Sequence, residues 1–436
     1  MRARWILLLV TSFLISLGST AIAQQDATEK SLQKDQQALV EIVTAYNLTL
    51  DHYHAEANKQ RDLAARTVYY LTHDPSAEFV PQLLQFEAEH RGSETGLLAL
   101  YHVARVAAGG GAIGGPRDEG RREALRHLSH YADQPLTFAV IRMLGGGHFE
   151  PEVIPTLRAL TNHEHAHPLV VGYGQLELGR YMVAAKDDAN YITERIAALD
   201  AGAPSMFYGA DNPAVERQYF VDLLARYPDA ATLDRWEQEG SELLTKLANS
   251  GSQLRPHTLK FLDESRALIQ LEEPEAKSQD LAARAAGIHF QATHLRKGKP
   301  APDLSVELIG GESWSLAEQA GRVVVIQFSF KGCGPCEAMY PDLREMQALH
   351  GDRLAVLGIM ADENRKDTAD AVASGKLTWN VTWDQGRGPI TTQWGVNGFP
   401  TVYVIDAEGK IAAIDLRGDK LKAKVAALIR AGKEQP

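Results

Sequence analysis

The segment Val323–Phe330 is apolar at nearly every position, and close behind it stands Cys333-Gly334-Pro335-Cys336, which holds both cysteines of the chain. A continuous apolar run of this length, rich in β-branched residues, reads as a strand covered on both faces. Pro335 is tolerated in a first helical turn, whose N–H groups lack partners anyway, so the strand is expected to give way to a helix at the cysteine pair. Few architectures satisfy that succession. Downstream, Cys336–Leu349 reads as a helix, Leu354–Met360 as a second buried strand, Arg365–Ala373 as a helix and Val381–Asp384 as a short strand. Thr401–Ile405 and Ile411–Leu416 flank a Glu408-Gly409 turn as a hairpin, and Lys420–Ile429 closes as an amphipathic helix. Alternating strands and helices predict an α/β sheet.

At 436 residues the chain exceeds what one core usually serves, so two or three folded units are expected. The polar stretch Arg296-Lys297-Gly298-Lys299-Pro300-Ala301-Pro302 marks a junction. Before it, residues 27–294 carry helical patterns with almost no alternation, which predicts an all-α helical array of the solenoid or tetratricopeptide-like kind without a strict repeat. Asp74-Pro75-Ser76 precedes an apolar stripe of Phe79, Val80, Leu83, Leu84 and Phe86, while Glu150-Pro151, His167-Pro168 and Asn212-Pro213 mark further helix entries. Gly109–Gly115 and Gly145–Gly147 read as linkers, because no Gly-Lys-Ser/Thr follows to cradle a phosphate. Gly172, Gly174 and Gly179, inside the periodic stretch Leu169–Ala185, would let two helices approach closely.

Residues 1–23 read as an export signal: Arg2 and Arg4 are basic, Trp5–Leu17 is apolar, and Ala21-Ile22-Ala23 forms a cleavage site before Gln24. The apolar stretch is short for a bilayer span, so the mature chain is expected not to be an integral membrane protein and to work in the periplasm or another extracytoplasmic compartment. Thiols there are oxidised unless something keeps them reduced, which makes the cysteine pair informative. The formal charge is -11. Residues 24–297 carry 27 Lys+Arg against 38 Asp+Glu, so the acidity belongs to the helical part and reads as a solvated surface. Nucleic acid is excluded as a partner, since phosphates need a basic surface.

The chemistry concentrates at the cysteines. A thiol at a helix N-terminus faces unpaired N–H groups and the positive end of the macrodipole, so its thiolate is favoured and its pKa can fall well below the usual value of about 8.5. Cys333 is therefore the expected nucleophile. Cys336, one turn on, is placed to attack a mixed disulfide on Cys333 and release the reduced substrate. Gly334 and Pro335 complete the active-site motif.

These residues resemble the thioredoxin superfamily, and most closely its exported TlpA/ResA-type thiol:disulfide oxidoreductases. The resemblance covers residues 298–436. It rests on Gly298-Lys299-Pro300-Ala301-Pro302-Asp303 leading to Gly321-Arg322-Val323-Val324-Val325, on the cysteine motif with Pro341 beyond it, and on Gly398-Phe399-Pro400-Thr401 before a strand. It implies a thioredoxin-like domain in which helix 365–374 and strand 381–384 form the extra element of this branch, after an all-helical segment such as modular bacterial redoxin proteins carry. It also implies a cis bond before Pro400, and a substrate-binding role in which the Phe399 backbone pairs with an extended peptide with little sequence preference. By the same resemblance no cofactor is needed beyond a redox-active Cys333–Cys336 disulfide, the substrates are protein thiols and disulfides, and a membrane thiol carrier of the DsbD/CcdA type supplies electrons. The Gly-Pro dipeptide resembles that of reducing thioredoxins, with potentials near roughly -270 mV, which favours a reductant. Cytochrome c maturation is one pathway of this kind.

Three positions depart from the family pattern. Gly332 stands where an aromatic residue is usual, which predicts a more open rim. Gln327 occupies the place of the buried Asp of thioredoxin, and Met339 stands where ResA-type proteins often carry a Glu, so a carboxylate to take the proton of Cys336 is missing. Glu337 is expected at the surface, no general base is assigned, and Cys336 is expected to activate slowly. A peroxiredoxin is disfavoured because Ile326 and Phe330 occupy its signature Pro and Thr positions. Half a zinc site would need His289 and His294, which lie before the cysteines across the junction, and His163 with His167 abuts Pro168 as a surface turn. With His52 and His54 weaker still, no metal site is assigned. The alternative to an enzyme is a helical scaffold or binding protein whose redoxin part senses redox state without turnover, a reading supported by the size of the helical portion.

Overall fold

The computed structural model describes residues 3–108, 112–144, 149–205, 212–274, 280–386, 388–396 and 398–432, with side chains described from residue 30 onward except at 63, 64, 67 and 71. Residues 109–111 of the first expected linker and all of Gly145–Gly147 lie outside that set. The N-terminal helices are α1 (Ala3–Lys59), α2 (Leu63–Thr72), α3 (Ser76–Glu89), α4 (Glu94–Ala107) and α5 (Pro116–His127). They continue with α6 (Thr137–Leu144), α7 (Val153–Thr161), α8 (Pro168–Asp200), α9 (Pro213–Leu224) and α10 (Ala230–Ala248). Among the described residues no helix is long and apolar enough to cross a membrane.

The chain divides into two compact units, Met1–Gln238 with Arg255–Ser278, and Glu239–Leu254 with Gln279–Pro436. In the first, successive helices pack on one another, as α3 does on α4, α4 on α5, α7 on α8 and α8 on α9. Side-chain caps set several starts: Asp62 accepts from the Ala65 N–H, Ser93 from Gly96 and Asn212 from Ala214, each satisfying a donor that a helix leaves open. The expected stripe of α3 is largely buried through Phe79, Val80, Leu83 and Phe86. Gly174 does bring two helices together, since a Cβ there would lie 2.7 Å from Thr161 Cγ2. Several buried carboxylates are paired with arginines. Arg226 grips Asp118 at 3.0 and 2.5 Å and also bonds Glu150.

This part of the chain is not all-α. Strand β1 (Thr258–Phe261) pairs antiparallel with β2 (Ile269–Glu272), and His102 of α4 meets the Ala267 carbonyl at 2.9 Å. The strands alternate for only four residues each, too few to stand out in a periodicity window. Their turn is closed by Asp263, whose carboxylate accepts the Ala267 and Leu268 N–H groups.

The second unit also departs from the expected boundary, because α11 (Leu281–His294) groups with the sheet. The remaining elements are β3 (Ser305–Glu307), β4 (Ser313–Ser315), β5 (Val323–Ser329), α12 (Gly334–Glu337), α13 (Tyr340–His350), β6 (Leu354–Met360), α14 (Arg365–Ala373), β7 (Asn380–Trp383), α15 (Pro389–Gln393), β8 (Thr401–Ile405), β9 (Ile411–Ile414) and α16 (Gly418–Ala431). Helix α11 meets α15 at Gly287, where a Cβ would lie 2.6 Å from the Thr392 carbonyl oxygen. The sheet runs β7-β6-β5-β8-β9, with β6 parallel to β5 and β7, and β8 antiparallel to β5 and β9.

Side chains alternate across β5. Val323 and Val325 join one core with Cys333, Cys336, Tyr340 and Leu343, whereas Val324, Ile326 and Phe328 join the opposite core around Trp394 and Tyr403. Gln327 therefore falls on the cysteine face, under α12 and α13. The expected helix from Cys336 to Leu349 is two helices, because Pro341 has no N–H for the carbonyl four residues back. Ala338 and Met339 keep right-handed dihedral angles between them, and the Met339 N–H bonds the Cys336 carbonyl three residues back at 3.1 Å.

Candidate active site

Cys333 and Cys336 are joined in a disulfide with Cα atoms 5.3 Å apart. Cys333 is the N-cap of α12, and the Cys336 N–H points at its sulfur at 3.3 Å. With α12 only four residues long, this one local N–H rather than a long macrodipole favours negative charge on the Cys333 sulfur. The two cysteines differ in access: Cys333 is 5% exposed and Cys336 0%. Gly334 and Pro335 between them are exposed.

The loop entering the site is held at several points. Asp362, at the end of β6 and 4% exposed, accepts the Lys331 N–H at 2.6 Å through Oδ1 and the Thr368 hydroxyl at 2.6 Å through Oδ2. The Lys331 ammonium pairs with Asp367 at 2.6 Å on the surface. Gly332 donates its N–H to Glu337 at 3.2 Å, and the Lys376 ammonium reaches the same oxygen at 2.7 Å. Lys376 first, and the Gly332 N–H after it, hold the Glu337 carboxyl below the usual carboxylate range. Gly332 has φ 83°, which explains why no aromatic stands there: a side chain would find open space but a left-handed backbone.

The pairing of Phe328 with Thr401 brings the start of β8 level with the end of β5, so Phe399 and Pro400 arrive at the sheet end that carries the cysteines. The Phe399–Pro400 peptide bond is cis. Pro400 is buried, its carbonyl accepts from Arg417 at 3.1 Å, and Asp415 accepts the Val402 N–H at 3.0 Å. Phe330, expected to end the strand, lies beyond it and is 37% exposed, edge-on to Phe399 at 5.2 Å. Gln327, 1% exposed, donates from Nε2 to the Cys336 carbonyl at 3.3 Å and to Met339 Sδ at 3.6 Å. The sequence reading missed Asp362, Phe330 and Arg417 as parts of this region. An Asp closing an apolar strand was the one local hint.

Most of the histidine candidates make local contacts of their own. His167 caps α8 by accepting the Leu169 N–H at 3.2 Å, His163 lies in the turn before that helix, and His289 bonds Ser241 at 3.0 Å. His294 packs on Phe290, and His54 on Tyr70. Among the described residues no group of three or more His, Cys, Asp or Glu is placed to hold a metal ion.

Residues 296–429 match the family model described as Redoxin. The carboxy-terminal third is similar to TlpA/ResA-type proteins of the thioredoxin superfamily. It is 29% identical over 123 residues to the thioredoxin-like protein YneN of Bacillus subtilis, a match that takes in 28% of this chain and 71% of that protein. The thiol-disulfide oxidoreductase ResA of Bacillus thuringiensis is 27% identical over 140 residues, 32% of this chain and 80% of its own. A solved thiol-disulfide oxidoreductase from Bacteroides fragilis is 26% identical, with a TM-score of 0.28, over 30% of this chain and 99% of that one. The chain thus carries a thioredoxin-like thiol-disulfide oxidoreductase domain after a helical portion.

Proposed function

We propose that this protein reduces disulfides of other proteins outside the cytoplasm, with Cys333 as the attacking sulfur and Cys336 as the resolving one. The observation that carries the reading is the asymmetry of the pair: only Cys333 keeps a solvent-facing edge, while Cys336 lies wholly inside. In the reduced protein, the Cys333 thiolate attacks a substrate disulfide. One new S–S bond forms, the substrate bond breaks, and the departing substrate thiolate takes up a proton. Cys336, as thiolate, then attacks the Cys333 sulfur, which reforms the internal disulfide and frees the second substrate thiol. Two electrons have passed to the substrate. A dithiol donor, by resemblance a membrane thiol carrier of the DsbD/CcdA type, returns them.

The exposed edges of Phe330 and Phe399, with the backbone of Phe399, form the surface on which an extended substrate would lie. The export pattern of residues 1–23 supports an extracytoplasmic site of action, checked by sequencing the mature N-terminus for a start at Gln24. Trapping tests the chemistry. Cys336→Ser should accumulate mixed disulfides with natural clients, and a further Cys333→Ser change should abolish them. Wild-type protein that reduces no insulin in the presence of dithiothreitol, together with a Cys336→Ser variant that traps nothing, would refute the proposal.

A further inference from the structure

Gln327 sits where a carboxylate would be expected if the resolving thiol had a proton acceptor, and its contacts explain the difference. Alternation along β5 turns it toward α12 and α13, where Pro341 forces the chain into a tightened turn over Ala338 and Met339. Its single NH2 group reaches both sides of that turn: the Cys336 carbonyl at 3.3 Å and the Met339 thioether at 3.6 Å. Both atoms are acceptors only. An ionised carboxylate at 327 has no hydrogen to offer either of them, so the position is built for a donor.

We propose that Gln327 is a positioning residue that fixes the backbone of Cys336, and hence its sulfur, beneath Cys333. This rests on the oxidoreductase reading above. Holding the turn keeps the two sulfurs within bonding reach, so the amide raises the effective concentration of one thiol toward the other and favours both the resolving step and the closed disulfide. The apolar core on the cysteine face takes in residues of β6, β8, α13 and α16, and the buried hydroxyls beside it, Tyr340 of α13 and Ser329 of β5, meet each other at 3.1 Å. Residues opposite Gln327 in the sheet are Gly358 and Val402. Of the acids on the segments next to it, Glu337 at the end of α12 is engaged by Lys376, and Asp415 after β9 bonds the N–H of Val402, the residue opposite Gln327 in β8. None of these substitutes for the missing donor.

The test compares the full-length wild type with Gln327→Glu and Gln327→Leu, as ratios of kcat for insulin reduction at each pH from 5 to 9. Protonated Glu can donate an O–H to the Cys336 carbonyl, whereas ionised Glu cannot. The Glu variant should stay within about twofold of wild type at pH 5 and fall about tenfold behind by pH 9. The Leu variant should lag about tenfold throughout, with KM unchanged in both. A Glu-to-wild-type ratio that rises with pH overturns the proposal, because the carboxylate would then be taking a proton. So does a Leu variant equal to wild type. Should Gln327→Leu fail to fold, the fall of the Glu-to-wild-type ratio from pH 5 to pH 9, with the variant's near-ultraviolet circular dichroism checked at both ends, decides alone, and a ratio that stays flat overturns the proposal.

A second readout separates the two claims. The equilibrium between the Cys333–Cys336 disulfide and dithiothreitol, followed by alkylation and mass spectrometry, does not require turnover. Disulfide formation should be about tenfold less favourable in Gln327→Leu, equivalent to about 30 mV toward easier reduction. For the Glu variant that shift should emerge only as the pH rises. An unchanged constant in both variants overturns the positioning role even if the wild type is an active reductase, whereas a shift in the variants beside a wild type without turnover sinks only the enzyme reading.

Discussion

Removing the Asp362 carboxylate should loosen the loop that leads into Cys333. Its two oxygens hold the Lys331 N–H and the Thr368 hydroxyl, each at 2.6 Å. In Asp362→Ala both bonds disappear. Lys331 is exposed, so its N–H can turn to water, but Thr368 is fully buried and its hydroxyl is left without this acceptor. A buried unpaired hydroxyl costs about 1–3 kcal/mol, and losing a charge-assisted bond to the loop adds about 1 kcal/mol, so a destabilisation of about 2–4 kcal/mol is expected. Asp362→Asn keeps an acceptor for Lys331 and a donor for the Thr368 oxygen and should cost about 1 kcal/mol. Looser placement of Cys333 should lower kcat/KM for insulin reduction about tenfold in the Ala variant. The contrast is Lys331→Met, which removes only an exposed ion pair with Asp367 and should change stability by less than about 1 kcal/mol. Denaturant titration and insulin turnover on the three variants check this. Equal stability and turnover in Asp362→Ala and Lys331→Met would refute the idea that the buried carboxylate organises the loop.

Gly287→Val should destabilise the second unit by about 1–3 kcal/mol, measured by denaturant titration, because the new Cβ would press on the Thr392 carbonyl of α15. Phe330→Ser removes an exposed ring without touching the core. It should raise KM for a protein disulfide about fivefold, from roughly 1 kcal/mol of lost apolar contact, and leave KM for a small aromatic disulfide such as DTNB nearly unchanged. In the helical unit, burial first and the neighbouring Asp118 second push the Glu150 carboxyl up to about 8. The folded chain thus keeps a proton that the unfolded chain releases near the usual carboxylate value, so this stabilisation is full below about 4.5 and is lost as pH rises toward 8. Burial opposes ionisation of Asp118, but Arg226, Glu150 and the Gly114 N–H outweigh it and hold its carboxyl low, so its contribution is present above about 3.8 and is lost as the solution becomes more acidic. Denaturant midpoints of wild type should therefore fall between pH 5 and 9, and Glu150→Gln should flatten that decline. Parallel profiles would contradict the shared-proton picture.

The site was legible in sequence to the extent that it is local. Cys333 and Cys336 lie on one turn, the apolar run before them could only be a buried strand, and the Phe399-Pro400 pair stands just ahead of another. Periodicity also located α3, α8, α9 and α16 from their punctuation and stripes. It missed β1 and β2, whose alternation is too brief, and it assigned α11 to the array because a helix pattern says nothing about which neighbour will cover it. The expected single helix after Cys336 failed for a local reason that was visible as Pro341, whose missing N–H interrupts the ladder.

Chain order and residue type by themselves determined a dithiol at the junction of strand and helix, an α/β unit after a helical one, and the absence of a carboxylate at position 327. Tertiary structure alone decided what that absence is for. Only when β5 lies under α12 and α13 does the amide of Gln327 meet two acceptors from one tightened turn, and only when β6 ends beside Lys331 does Asp362 hold the loop. Side-chain hydrogen bonds between segments distant in sequence depend on distances of a few ångströms in three dimensions, and no periodicity in one dimension encodes them.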